Sequence, residues 1–137
     1  MKTVGITLES DAAILAVLEL DDTGSYTLLN ESTKVKLQDC HNNEQVRQFK
    51  DEIDANLDII DPDRISILVR NPNGRGRMAP SPKSFKLEGL IQLNQSYNVG
   101  FVWPQTLNAF IGHTPCPLNA DKKYRQKALE LAFYLTH

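Results

Sequence analysis

The hydrophobic and polar positions divide the chain into segments of two different periods. Residues 2–8, "KTVGITL", read as a strand. Residues 11–20 read as a second, whose nearly unbroken apolar run predicts burial on both faces. Asp21-Asp22-Thr23-Gly24 has the composition of a hairpin turn. A third strand, from about Tyr26 to Leu37, is more polar and interrupted, as an edge strand is. The period then changes. Asn42 caps a helix, with Gln45 three residues later. Val46, Phe49, Ile53 and Leu57 follow at helical spacing, and Asp61-Pro62-Asp63 ends the helix. Ile65–Val69 is a short apolar strand, followed by the loop "RNPNGRGRMAPSP". Ser81 and Pro82 supply a cap and a first-turn proline for a second helix running to about Leu93. Val99–Trp103 is a fifth strand and "HTPCPLN" a loop. Tyr124, Ala128, Leu131 and Leu135 give the last helix its apolar stripe.

The element order is therefore βββαβαβα. Hairpins at the start imply antiparallel neighbours, and helical crossovers later imply parallel ones. The expectation is an α/β fold with a five-stranded mixed sheet, order 3-2-1-4-5, and flanking helices. A chain of 137 residues with 41% hydrophobic residues is expected to form one domain over residues 1–137 with a real core. It contains no repeat, low-complexity tract or internal linker.

Charge changes the picture. The net charge is only -2, but residues 1–66 hold 14 acids and 6 bases while residues 67–137 hold 3 acids and 9 bases, or -8 against +6. Such polarity either favours an anionic partner on one side or is compensated within one fold. The densest acid-free basic run comprises Arg70, Arg75, Arg77, Lys83 and Lys86, within 17 residues. Gly74 and Gly76 let its backbone approach an anion closely. The spacing is not that of a phosphate-binding P-loop, which argues against a nucleoside triphosphate ligand. Contact with a nucleic-acid backbone suits it better, and these five are the candidate nucleic-acid-binding residues. The other reading is a solvated loop that pairs with the acidic half.

Two cysteines, Cys40 and Cys116, are too few for a disulfide scaffold. With no signal-like N-terminus and no apolar run near the roughly 18 residues of a membrane span, the expectation is a soluble cytoplasmic protein without membrane association. Cys40-His41 and His113-x-x-Cys116 lack the knuckle spacing of a zinc site and read as small buried thiols and loop histidines. Trp103-Pro104 reads as filling the gap between the fifth strand and the neighbouring helix, with an exposed base-stacking surface as the alternative.

The element order is that of the ribonuclease H-like fold. "VGITLESDAAILAVL" resembles the opening hairpin of RuvC-type Holliday junction resolvases. "FKDEIDANLDIIDPDRISIL" resembles their first helix, proline turn and fourth strand, and "SFKLEGLIQL", "VGFVWPQTLNAFIG" and "KALELAFYLTH" resemble the elements that follow. The chain also looks like a small bacterial and phage family of unassigned function, particularly through "RNPNGRGRMAPSPKSFKLEGLIQL". The resolvase resemblance implies a nuclease with carboxylates around two divalent ions roughly 4 Å apart, and often a homodimer. In that pattern the first acid lies two residues after Gly5, at Thr7, and the second around Leu68. The final pair falls on Tyr124 and Lys127, or on Gln126 and Leu129 two residues along. No register recovers an acid, and magnesium needs hard oxygen ligands. Glu9, Glu88 and Asp121 remain as candidate carboxylates for a divergent magnesium-dependent nuclease. Glu9 also reads as a turn acid and Asp121 as an acid favoured by the last helix's dipole. The favoured expectation is a degenerate relative that binds nucleic acid or protein without cutting and needs no cofactor or metal.

Overall fold

The first hairpin organises the sheet. In this computed structural model, which describes residues 1–70 and 81–137, β1 (Lys2–Leu8) runs antiparallel to β2 (Ala12–Leu20), from Lys2 opposite Glu19 to Leu8 opposite Ala13. Ala12 to Leu18 are all buried, as the unbroken apolar run predicts for a strand covered on both faces. The expected third strand is two short ones, β3 (Tyr26–Leu28) and β4 (Thr33–Lys36), both antiparallel to β2. Between them, Leu29 N donates to Val17 O at 2.8 Å, and Val17 N donates to Ser32 Oγ at 2.9 Å. A hydroxyl thus replaces a ladder carbonyl, so the edge bends without leaving Val17 unsatisfied.

β5 (Arg64–Leu68) lies parallel to β1, and β6 (Val99–Val102) parallel to β5. The sheet has six strands in the order β3-β2-β1-β5-β6, with β4 also on β2. With β3 and β4 taken together as one edge, the order is the expected 3-2-1-4-5.

Two helices cover one face. In α1 (Asn43–Ile60), Asn42 Oδ1 accepts from Gln45 N at 3.1 Å. The Gln45 side chain accepts from Asp39 N at 3.0 Å, so it does not return to the cap as in a capping box. The helix stops at Asp61, whose φ of 50° is left-handed and whose N–H bonds Leu57 O. α2 (Pro82–Gln92) starts with Ser81 Oγ accepting from Ser84 N at 3.2 Å. Phe49, Ile53, Leu57, Leu87 and Ile91 from these helices meet Val4, Ile6, Leu15 and Ile67 of the sheet.

The other face carries α3 (Pro104–His113) and α4 (Gln126–Tyr134). α3 is absent from the sequence-based expectation, although Pro104 at a first helical position and Leu107, Phe110 and Ile111 at helical spacing mark it. Trp103 is exposed and does not fill the gap assigned to it; Leu107 does, against Val102, Leu131 and Leu135. The last helix begins later than its apolar stripe suggests. Lys123–Arg125 form a 3-10 turn, which rotates Tyr124 outward and Arg125 inward. Among the described residues, no helix is long and apolar enough to cross a membrane.

α4 sits on β1 at backbone contact. Thr3 Oγ1 donates to Ala132 O at 2.7 Å, in a fully buried position. A Cβ on Gly5 would lie 2.1 Å from Ala128 O and 2.7 Å from Ala132 N. Only glycine permits that approach. Gly5→Ala should therefore cost at least the ~1–3 kcal/mol of ordinary overpacking, read as a lower urea midpoint. Gly89→Ala, in the exposed body of α2 with nothing near its Cβ, should raise the midpoint by the equivalent of about 0.5–1 kcal/mol. Equal midpoints for the two variants would refute this account of the α4–β1 contact.

Candidate functional site at the end of β1

The α4–β1 contact fixes what stands at the C-terminal end of β1. Thr3, Gly5 and Thr7 share one face by strand alternation. Thr3 lies at Ala132 and Gly5 at Ala128. Thr7 stands opposite Ile14 of β2, the strand on which the Lys123–Arg125 turn packs. The β1–β5 register, Ile6 opposite Ile67, brings Leu68 beside Thr7. Leu68 packs against the cluster of Val102, Leu107, Leu131 and Leu135. The positions that the resolvase resemblance assigns to acids are thus a hydroxyl at Thr7, an apolar side chain at Leu68 and a basic stretch at the start of the last helix.

The charges nearby form a chain of pairs. Lys34 Nζ lies 3.2 Å from Glu9 Oε2 and 4.6 Å from the Tyr124 ring centroid. Arg125 Cζ lies 5.5 Å from the same centroid. Arg125 is only 5% exposed, and its Nη1 reaches Asp121 Oδ1 and Oδ2 at 2.6 and 2.8 Å. Its Nε is buried with no hydrogen-bond partner. Asp121 is therefore held by Arg125 four residues on, an i,i+4 pair, rather than by a helix dipole. That hydrogen bond holds its carboxyl below the usual carboxylate range.

The candidate carboxylates do not gather. Glu9 and Asp121 bracket the Lys34–Tyr124–Arg125 group, and Glu88 stands on α2 beside Arg70. Arg70 Nη1 donates to Leu8 O, and its Nε is buried without a partner. Burial pushes the Glu88 carboxyl up, and the charge of Arg70 opposes the rise. Burial likewise draws Arg70 down, against the opposing charge of Glu88. Among the described residues, no three of His, Cys, Asp and Glu are placed to hold a metal ion. A magnesium pair does not fit the residues present: three separated carboxylates, each beside its own cation, are not a hard-oxygen cage.

The basic candidates divide. Lys83 Nζ donates to Gln38 O at 2.6 Å and Lys86 Nζ to Cys40 O, so both strap α2 to the segment before α1. Arg70 is turned onto the end of β1. Arg75 and Arg77, with Gly74 and Gly76, lie outside the described residues. Cys40 packs at the edge of the α1–α2 core, and Cys116, whose thiol burial pushes up, beside the α4 core. Lys34 was missed by sequence reasoning, which read Lys123, Arg125 and Lys127 only as positive charge where a metal would stand. The signal of the turn was present in "DKKYRQK", where four cations surround a tyrosine and Arg125 stands four residues after Asp121.

The two perturbed carboxylates among these candidates, Asp121 and Glu88, predict opposite pH effects. Asp121, depressed when folded, stabilises above its unfolded pKa, and the gain is lost as pH falls through the folded value. Asp121→Asn should therefore lower the urea midpoint at pH 7, with the difference fading only below 3.8, the ordinary aspartate value. Glu88, raised when folded, costs stability once ionised. Glu88→Gln should raise the midpoint at pH 7, and the gain should vanish below the ordinary glutamate value of 4.5. Shifts of the same sign in both variants at pH 7 would contradict these assignments.

Two solved structures of Thermus thermophilus RuvC, one alone and one in complex with a Holliday junction substrate, are similar in fold. Each is 15% identical and covers 99% of this chain and 96% of its own, with TM-scores of 0.70 and 0.71 respectively. The fowlpox virus resolvase in complex with Holliday junction DNA is 13% identical, covers 98% of this chain and 93% of its own, and has a TM-score of 0.51. No curated protein matches the chain by sequence. The fold is RuvC-like, of the ribonuclease H-like class. Over residues 1–135 the chain matches the family described as "Protein of unknown function (DUF3010)", and it belongs to that family.

Proposed function

We propose that this chain is a single ribonuclease H-like domain that binds nucleic acid and does not cut it. The observation that carries the reading is how the charge is distributed. Among the described residues there are four salt bridges: Lys34–Glu9, Lys50–Asp54, Arg125–Asp121 and Lys127–Glu130. Each stays within its own half of the chain, so none joins the acidic residues 1–66 to the basic residues 67–137. Among the described residues no ion pair between the halves therefore neutralises the basic half's excess charge, and a net positive half draws an anionic partner. The RuvC and fowlpox structures, solved with junction DNA, support nucleic acid as that partner through fold likeness alone.

The absence of cutting rests on Thr7, Leu68 and the basic turn standing where acids are needed. The divergent-nuclease reading needs Glu9, Glu88 and Asp121 to share an ion, and their separate cation partners argue against it.

A binding assay across duplex, branched and single-stranded DNA and RNA, with and without Mg²⁺ or Mn²⁺, tests both parts. The expected result is saturable binding at low salt that weakens as salt rises, with substrates left intact. No binding to any of these at low salt would end the nucleic-acid reading. Magnesium-dependent cleavage that Glu9→Gln abolishes would replace it with the nuclease.

A further inference from the structure

We infer that Lys122 and Lys123, on the turn before α4, contact the phosphodiester backbone directly and without a metal ion, with the Glu9-paired Lys34 beside them. The inference rests on the nucleic-acid reading above and assigns its site. It departs from the basic loop that the sequence alone brings forward.

The argument begins with which cations are occupied. Lys83, Lys86 and Arg70 spend donors on backbone carbonyls, and Lys127 is held by Glu130 at 3.0 Å and Asn108 at 3.2 Å. Lys122 and Lys123 are exposed and, among the described residues, make no ion pair or side-chain hydrogen bond. They adjoin Tyr124, which is 40% exposed and has the Lys34 ammonium over its ring.

Second, the two layers differ in sign. α1 carries Glu44, Asp51, Glu52, Asp54 and Asp58 against Arg47 and Lys50, and would repel a phosphate chain. From Pro104 to His137 the acids are Asp121 and Glu130 only, against Lys122, Lys123, Arg125 and Lys127. Both acids there are already paired within that layer.

Third, the turn is held in place. Arg125 is anchored inward by Asp121, and α4 is seated on β1 through Gly5. The neighbouring lysines are therefore presented from a fixed base, at the end of β1. A backbone phosphate there meets the ammonium groups of Lys122 and Lys123. The positive charge that a nuclease would borrow from metal ions is supplied by the chain itself.

The test uses the full chain and a labelled duplex and single strand of about 20 nucleotides, over a salt series in EDTA and again in Mg²⁺. Lys122→Ala/Lys123→Ala should bind at least about tenfold more weakly at 0.1 M salt and flatten the log–log salt slope by ~1.8 on duplex, or ~1.4 on single strand. Lys34→Met should weaken binding less. Arg47→Ala, on the acidic α1, should leave affinity within twofold. Mg²⁺ should only weaken binding, as a competing counterion. Unchanged far-ultraviolet circular dichroism and urea midpoints show that the variants remain folded. If the parent binds but the double variant matches it in affinity and slope, the assignment is wrong, and loss on Arg75→Ala/Arg77→Ala instead would move the site to the loop. Tighter binding in Mg²⁺ would overturn the metal-free contact. A parent that binds neither probe at low salt defeats the underlying reading, a result distinct from all of these.

Discussion

The contact between Gly5 and the backbone of α4 is the constraint on which the rest depends. Helices normally rest on sheets through the side chains of their apolar faces. Here the Ala128 carbonyl and Ala132 amide lie where a Cβ would stand, and Thr3 bonds the Ala132 carbonyl from the same face. Both contacts are backbone to strand, so they fix the height and register of α4 more tightly than apolar packing does. Two small residues, Ala128 and Ala132, make that closeness tolerable on the helix side. With the register fixed, the turn before α4 lies on β2, whose Ile14 stands opposite Thr7 near the end of β1.

That placement explains the electrostatics. A 3-10 turn advances 3.0 residues per turn against 3.6 in an α-helix, so side chains change phase where one becomes the other. Through this shift Arg125 takes the inward position and Tyr124 the outward one. Lys34 arrives from β4, whose pairing with β2 places it opposite Ile14 on the α4 face. Three separate segments, β1, β4 and the turn, therefore meet at one edge through Glu9–Lys34, Lys34–Tyr124 and Arg125–Asp121.

Much of the fold was legible in the sequence because it is set locally. The caps at Asn42 and Ser81, the stop at Asp61-Pro62 and the two-sided apolar run of β2 are short-range signals, and the strand order follows from hairpins and crossovers. The departures have tertiary causes. The third strand divides because Ser32 bonds Val17 across the sheet, which no local pattern encodes. α3 was missed because no element was assigned between the strand ending at Trp103 and the loop "HTPCPLN", although the Pro rule that located α2 applies equally at Pro104. The stripe through Tyr124 assumed helical phase one turn too early. At the site, Thr7 and Leu68 come side by side through the β1–β5 register, Ile6 opposite Ile67. Lys34 could not be found, because its partners Glu9 and Tyr124 lie 25 and 90 residues away in sequence.

Arg125 also bears on what the end of β1 can accommodate. A guanidinium does not lose its proton near neutral pH, so its charge persists however deeply it is buried. Asp121 offsets that charge through Nη1 while itself remaining largely in solvent, which keeps the pair hydrated at one end and limits its desolvation cost. A divalent ion about 5 Å from such a charge is repelled by roughly 7 kcal/mol at an effective dielectric of about 20. At the same dielectric a carboxylate about 4 Å from the ion attracts it by roughly 8 kcal/mol, so one acid little more than cancels that repulsion before the ion's desolvation is counted. Turning this edge into a metal centre therefore takes several acids around the ion, set against the standing charge of the Arg125 that anchors the turn.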